Sequence, residues 1–358
     1  MKFTAIKGRR LLFDVRRVPA LLSGALVLAI LGGCAAHTRM PFDPEAPQSH
    51  AFTRGTSPQM AYTRQPVPLK NGDLTHLDDE HYRVKFLRFP AYGKNGQKNN
   101  LVTAHYYKSK LPGKKKLVIV LPIWGVSDYP SVKIAEGLRE HSRGDTNIIE
   151  LLGERYLIDW EGAREATTEQ EFLRVMRGQS NRFRDALIDI RRVIDWSETQ
   201  PDIDPQRIAV IGFSIGAMIA SSAVANEPRL AAAVLVMGGA HPQDVFATCL
   251  GRAGDLRTDV ITRFDWTIER YLKELTPVFT PVDPAQFPGR VDPSKILIFD
   301  AKYDDCIPRN SRDDLWEAMG RPERGSIIND HQGAFFAMTP RGGNFIREEI
   351  YTFLDRVL

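Results

Sequence analysis

The chain has 358 residues, of which 48 are Lys or Arg, 44 are Asp or Glu and three are Cys, so its formal charge is +4. A hydrophobic fraction of 43% and a charged fraction of 26% lie near globular averages, which excludes a disordered chain and a coiled coil. The basic balance would favour a nucleic-acid or membrane partner only if the charges lay on the folded part of the chain.

The first 33 residues have the composition of a secretory signal. They hold six basic side chains and one acidic side chain, and an apolar run from Ala20 to Gly33 follows the basic part. At 14 residues the run is too short to cross a hydrocarbon core of about 30 Å as a helix, and it is typical of an export signal that is removed. The remaining chain has 42 basic and 43 acidic residues, so no nucleic-acid partner is expected.

The apolar run ends at a cysteine. The sequence Leu-Gly-Gly-Cys at 31–34 resembles the bacterial lipobox, which implies cleavage before Cys34 and attachment of lipid to its thiol. Ala35 at the next position favours the outer membrane, so we expect a lipid-anchored protein of the bacterial envelope. Residues 34–75 are rich in proline and lack helix or strand periodicity, which predicts a tether between the anchor and a folded domain.

From about residue 81 onward the patterns of strands and helices alternate. Alternating apolar and polar residues at 81–89 and 101–107 predict an antiparallel hairpin at the start of the domain. Continuous apolar runs, typical of strands buried on both faces, follow at 117–121, 148–152, 208–211, 232–237 and 296–299. Helical periodicity lies between them, so we predict an α/β fold with a mostly parallel sheet flanked by helices.

A longer segment interrupts this alternation. Residues 241–290 separate two predicted strands, contain one predicted helix at 260–275 and end in a proline-rich stretch. Because so long a connection is unusual for a bare loop, we interpret it as a helical cap over one end of the sheet, with a surface insertion as the alternative.

A serine lies between a predicted strand and a predicted helix, in the sequence Gly-Phe-Ser-Ile-Gly at 212–216. The glycines allow strand and helix to approach closely, so the hydroxyl of Ser214 is presented at the carboxyl edge of the sheet. The helix N-terminus behind the serine offers N–H groups to a developing oxyanion.

An acidic residue and a histidine follow in chain order. Asp304 comes after the strand at 296–299, and His331 lies 27 residues further on. The order of Ser214, Asp304 and His331 on these elements resembles the α/β-hydrolase superfamily, in particular its dienelactone-hydrolase and serine-esterase members. The resemblance covers residues 81–358 and implies that 76–358 is a hydrolase domain.

The resemblance also implies roles for these side chains. Ser214 would be the nucleophile, His331 the base and then the acid, and Asp304 the carboxylate that orients the imidazole. Asp300 and Asp305 are alternative acids. No cofactor and no metal are expected, because the His and acidic residues at 76–81 lack metal-ligand spacing and are interpreted as a solvated charge run.

The oxyanion hole requires two backbone donors. The N–H of Ile215, directly after the serine, is the predicted first donor. The second should come from the loop after the strand at 117–121, where Ile123 and Trp124 are the candidates and Trp124 is favoured.

Two cysteines remain besides Cys34. Cys249 lies in the predicted cap and Cys306 lies two residues past Asp304, so both are expected above the active site. Since the envelope is oxidising, we predict a disulfide that ties the cap to the acid loop.

These features together predict an envelope-anchored serine hydrolase that cleaves a carboxylic ester through an acyl-enzyme. Two alternatives stay open at this point: an acyltransferase with the same triad, and a non-catalytic binding protein on a hydrolase scaffold. The composition of the cap favours no particular acyl chain, and nothing in the sequence indicates an oligomeric state.

Overall fold

The computed structural model describes residues 37–48, 50–64, 66–67, 75–92, 101–123, 129–153, 157–339 and 343–358. The predicted signal at 1–33, the predicted lipid site Cys34 and the favoured oxyanion donor Trp124 lie outside the described residues. None of the described helices is both long and apolar enough to cross a membrane.

Ten strands of the described chain form one sheet. They are β1 (His37–Met40), β2 (Thr75–Asp78), β3 (Tyr82–Pro90), β4 (Leu101–Ser109), β5 (Lys115–Val120), β6 (Thr146–Leu152), β7 (Ile203–Phe213), β8 (Leu230–Val236), β9 (Ile296–Ala301) and β10 (Glu323–Ile327). Their order is β1-β10-β9-β8-β7-β5-β6-β4-β3-β2. The six strands from β10 to β6 are parallel, and the other four add antiparallel pairings at the two edges.

Ten α-helices connect the strands or cover the sheet within the described residues. They are α1 (Ser131–Ser142), α2 (Trp160–Glu165), α3 (Glu169–Ser197), α4 (Ile215–Asn226), α5 (Pro242–Thr248), α6 (Arg252–Phe264), α7 (Ile268–Phe279), α8 (Arg309–Ala318), α9 (His331–Phe336) and α10 (Phe345–Val357). The longest, α3, starts at a capping box in which Thr168 accepts from the N–H of Glu171 while the Glu171 side chain accepts from that of Thr168.

The centre of the sheet is buried on both faces. Residues 117–120 of β5 and 208–211 of β7 are fully buried, and their side chains divide between two apolar clusters on opposite sides of the sheet. Such burial explains why these strands read as continuous apolar runs in the sequence. The predicted α/β class with a mostly parallel central sheet and an N-terminal hairpin is confirmed.

The segment between β8 and β9 contains three helices, α5, α6 and α7, where the sequence predicted one helix over 260–275. That predicted helix is wrong, because the chain breaks within it. Asp265 adopts a left-handed conformation with φ of 51° and ends α6. The side chain of Thr267 then caps α7 by accepting from the N–H of Arg270.

The predicted tether at 34–75 is wrong for the part that the structure describes. Strand β1 pairs antiparallel with β10, and Met60 is 0% exposed in the main apolar cluster. The Thr56 hydroxyl donates to the carbonyl of Asn226 over 2.8 Å, and the N–H of Thr53 donates to that of Gly289 over 2.7 Å. Prolines disfavour a long α-helix here, so apart from a short 3-10 helix at Pro58–Met60 the segment is free to bond to the domain surface.

Candidate active site

Ser214 occupies a sharp turn between β7 and α4. Its backbone has φ of 51° and ψ of −118°, a strained conformation for a residue with a side chain. The turn is held because the N–H of Ser214 donates to the carbonyl of Val236 over 2.8 Å and its own carbonyl accepts from Ala217 over 2.9 Å. The hydroxyl is thereby presented at the carboxyl edge of the sheet, as the motif predicted.

Gly212 is required by the close approach of strand and helix at this turn. A Cβ at Gly212 would lie 2.8 Å from the Cα of Ala217 and closer still to the carbonyl oxygen of Gly216. Because both contacts are with backbone atoms, no side-chain rotation relieves the overlap.

Gly212→Ala is therefore expected to lower the free energy of unfolding by about 3 kcal/mol or more. The matched control is Gly178→Ala in α3, where the nearest atom to a new Cβ is Nη1 of Arg182 at 3.7 Å. That control should be neutral or more stable by about 0.5–1 kcal/mol, since alanine is the better helix former. Urea unfolding measures both variants, and equal effects would contradict the packing argument.

The structure brings the three predicted triad residues together. The Ser214 Oγ lies 3.1 Å from Nε2 of His331, whose Nδ1 lies 2.8 Å from Oδ2 of Asp304. The His331 side chain is 5% exposed and that of Asp304 is 0% exposed. Each residue follows a parallel strand, β7, β9 or β10, so all three meet at one edge of the sheet.

Asp304 is held by its own loop. Its Oδ1 accepts from the N–H groups of Cys306 over 2.9 Å and Ile307 over 2.7 Å, which leaves Oδ2 for the imidazole. The two alternative acids are placed differently. Asp300 is bound by Arg324 and Ser326, and Asp305 is exposed.

Two of the candidate oxyanion donors, Ile215 and Ile123, lie in the described part of the chain. Ile215 is the first residue of α4, so its N–H has no acceptor within that helix. Ile123, the alternative second donor, follows β5 and packs against one of the apolar clusters. The position of Ile215 thus leaves its N–H available, and its role as an oxyanion donor stays a prediction.

A cavity of about 200 Å³ opens onto Ser214 and His331. Its walls are mainly apolar and come from both the cap and the helices below it, at Ile158, Trp160, Phe183, Met218, Val245 and Phe246. Among the described residues, Arg252 and Gln332 also line it with polar side chains, besides the serine and histidine. The sequence did not single out Phe183 and Met218 as cavity residues. They lie on helices α3 and α4, whose other apolar side chains pack in the core, so the sequence pattern does not distinguish them.

Cys249 and Cys306 form a disulfide. Cys249 directly follows α5 in the cap, and Cys306 lies in the acid loop. Both cysteines line the cavity. The cap is thus covalently joined to the segment that carries Asp304.

A charged cluster missed by the sequence reasoning lies where the cap begins. His241 precedes α5, and its ring nitrogens each lie 2.8 Å from a carboxylate, Nδ1 from Asp283 and Nε2 from Asp314. These hydrogen bonds, chiefly that with Asp283, raise the pKa of His241 to about 9. The imidazolium at neutral pH therefore links the start of the cap to α8.

Comparison with known proteins agrees with this architecture. The sequence profile of the phospholipase/carboxylesterase family matches residues 169–247, which include Ser214. A search of curated protein sequences found no match.

Solved structures share the fold at low sequence identity. Acetyl xylan esterase from Paenibacillus sp. R4 has a TM-score of 0.56 at 15% identity, over 82% of this chain and 88% of that one. Acetyl xylan esterase 1 from Thermoanaerobacterium sp. JW/SL YS485 has a TM-score of 0.52 at 14% identity, over 81% and 92% of the two chains. The acylaminoacyl peptidase of Pyrococcus horikoshii has a TM-score of 0.51 at 14% identity, over 78% of this chain and 42% of that chain. The fold is that of the α/β hydrolases, and the family profile marks the chain as carboxylesterase-like.

Proposed function

We propose that this carboxylesterase-like hydrolase cleaves carboxylic esters through an acyl-enzyme on Ser214. The observation that carries the proposal is the continuous contact from the Ser214 hydroxyl through His331 to the buried Asp304 carboxylate, beside an apolar cavity. A serine hydroxyl alone is a poor nucleophile at neutral pH, and this arrangement supplies the base that activates it.

The geometry supports the following sequence of steps. The Ser214 Oγ attacks the ester carbonyl while Nε2 of His331 takes its proton, and the N–H of Ile215 donates to the oxyanion that forms. His331 then gives the proton to the leaving alcohol, so the C–O bond breaks and the acyl group stays on the serine. A water molecule, deprotonated by His331, attacks that acyl group, and the carboxylic acid leaves as the serine regains its proton.

The cavity indicates which substrates fit. Its walls carry aromatic and aliphatic side chains, so we expect it to take an apolar acyl or alcohol group. Arg252 and Gln332 are both exposed residues that line the same cavity. They provide hydrogen-bond donors for a polar part of the substrate.

Labelling with a fluorophosphonate tests the proposed nucleophile. The wild-type protein should form a stable adduct at Ser214, located by mass spectrometry of its peptides, because the phosphonyl group resembles the acyl-transfer intermediate. Ser214→Ala should not be labelled. Equal labelling of both proteins, or none of the wild type, would reject the proposal.

We also propose that Cys34 carries lipid, so that the enzyme is attached to the bacterial envelope. Strand β1 begins only three positions after Cys34. The sequence thus offers no long spacer between an anchor at that residue and strand β1.

Cys34→Ala is expected to move the protein from the membrane fraction to the soluble fraction of a bacterium that expresses it. The physical reason is that covalent lipid contributes about 0.8 kcal/mol per buried CH₂ to membrane binding. Fractionation followed by immunoblotting measures the change, with Ala36→Ser as the control that keeps the thiol. A protein that stays in the membrane fraction without Cys34 would show that another feature attaches it.

A further inference from the structure

The disulfide between Cys249 and Cys306 joins the cap to the loop that holds Asp304. We propose that this bond is a positioning element for catalysis. It keeps residues 304–307 in the conformation in which Asp304 orients His331. The inference rests on the function proposed above for Ser214, His331 and Asp304.

The main chain of Cys306 determines where the Asp304 carboxylate lies. Its N–H donates to Oδ1 of Asp304 over 2.9 Å, and the N–H of Ile307 donates to the same oxygen over 2.7 Å. With Oδ1 occupied, Oδ2 is directed to Nδ1 of His331 at 2.8 Å. A displacement of Cys306 would therefore move the carboxylate relative to the imidazole.

Cys306 is itself held from the cap side. Its sulfur is bonded to Cys249, and its carbonyl accepts a hydrogen bond of 2.8 Å from the Thr248 hydroxyl at the end of α5. Cys306 and Ile307 are 7% and 1% exposed, and they pack with Met218 in a small apolar cluster. Met218 lies one helical turn after Ser214, so this cluster also connects the acid loop to the nucleophile helix.

Part of the acid loop lies at the surface. Seven residues separate the end of β9 from the start of α8, and among them Lys302, Tyr303 and Asp305 are exposed. Tyr303 is 61% exposed. A covalent link restricts the conformations of such a loop, and a catalytic group misplaced by about 1 Å can cost on the order of 100-fold in rate.

The test compares Cys249→Ser, Cys306→Ser and the double variant with the wild type on one ester. Each is expected to lower kcat by about 10-fold to 100-fold. The three losses should be equal, because either single substitution already removes the bond. The loss should fall on kcat rather than on KM, since a misplaced carboxylate weakens stabilisation of the transition state and not binding of the substrate.

Chemical reduction provides the same comparison on protein that has already folded. A water-soluble phosphine reduces the disulfide to two thiols and is itself oxidised to the phosphine oxide, with water supplying the oxygen and the protons. Treated wild type should match the double variant in kcat, and the double variant should not respond. Circular dichroism confirms that each sample is folded.

Phe246→Leu is the matched control for a change in cavity shape alone. Phe246 lines the same cavity but stacks on Phe279 and packs beside Trp160 rather than on the acid loop. This variant should change KM more than kcat. A folded double variant with wild-type kcat would overturn the positioning role. Activity that persists in Ser214→Ala would instead count against the proposed function.

Discussion

Ser214→Ala is expected to lower kcat for ester hydrolysis by about 10⁶-fold. The residual rate is what substrate binding and the oxyanion donors supply without a covalent intermediate. The substitution removes the only atom of the triad that bonds to the substrate, while the strained turn and the cavity stay in place. KM should change little, because the apolar walls of the cavity are untouched. Steady-state assays with a p-nitrophenyl ester measure both constants.

Helix α4, which directly follows Ser214, offers a control for this variant. Ser221 in α4 is fully buried and donates to the carbonyl of Ala217 over 2.6 Å, and it does not line the cavity. Ser221→Ala should keep wild-type kcat. A further check is the double variant of Ser214→Ala with His331→Ala, which should be no less active than Ser214→Ala, because residues that act as one unit are not additive. If the kcat of Ser214→Ala stayed within 100-fold of the wild-type value, Ser214 would not be the nucleophile.

The place of Ser214 in the fold could be predicted because the elements around it are encoded locally. Strand β7, the turn at Ser214 and helix α4 follow one another within 24 residues, so periodicity and glycine placement describe them directly. Asp304 and His331 lie far from Ser214 along the chain. They could still be placed, because in a parallel sheet the carboxyl ends of strands meet at one edge.

What the sequence did not predict depends on contacts with no local pattern. Strand β1 has four residues and exists only because β10 provides a partner, and Met60 is buried in a segment without periodicity. The break at Asp265 arises from one left-handed residue inside a continuous helical pattern. Propensity alone does not distinguish such a residue from a helical one.

The disulfide shows how the two kinds of information combine. The chain order of Cys249 and Cys306 indicated that both would lie above the site, and the structure adds that the backbone of Cys306 donates to Asp304. The sequence alone indicated that the sulfur atoms of Cys249 and Cys306 would lie near Asp304. Only the three-dimensional arrangement suggests that the bond acts on catalysis rather than on stability alone.

Asp304→Asn is expected to lower kcat by about 10⁴-fold at neutral pH. An amide has nearly the shape of the carboxylate, so the loop bonds from Cys306 and Ile307 can persist. The amide carries no charge to stabilise the imidazolium, and its NH₂ group can donate to Nδ1 of His331. That donation would place the proton of the neutral ring on Nε2, where the Ser214 hydroxyl needs an acceptor.

Asn variants of the two alternative acids show which of the three carboxylates orients His331. Asp305→Asn should keep wild-type kcat, because its side chain is exposed and Asp304 already occupies Nδ1 of His331. Asp300→Asn should lower the free energy of unfolding instead, since Asp300 is 1% exposed and paired with Arg324. Rate and urea-unfolding measurements on all three variants separate the two effects. If Asp305→Asn loses activity while Asp304→Asn keeps it, the assignment of the acid is wrong, although Ser214 and His331 could still act.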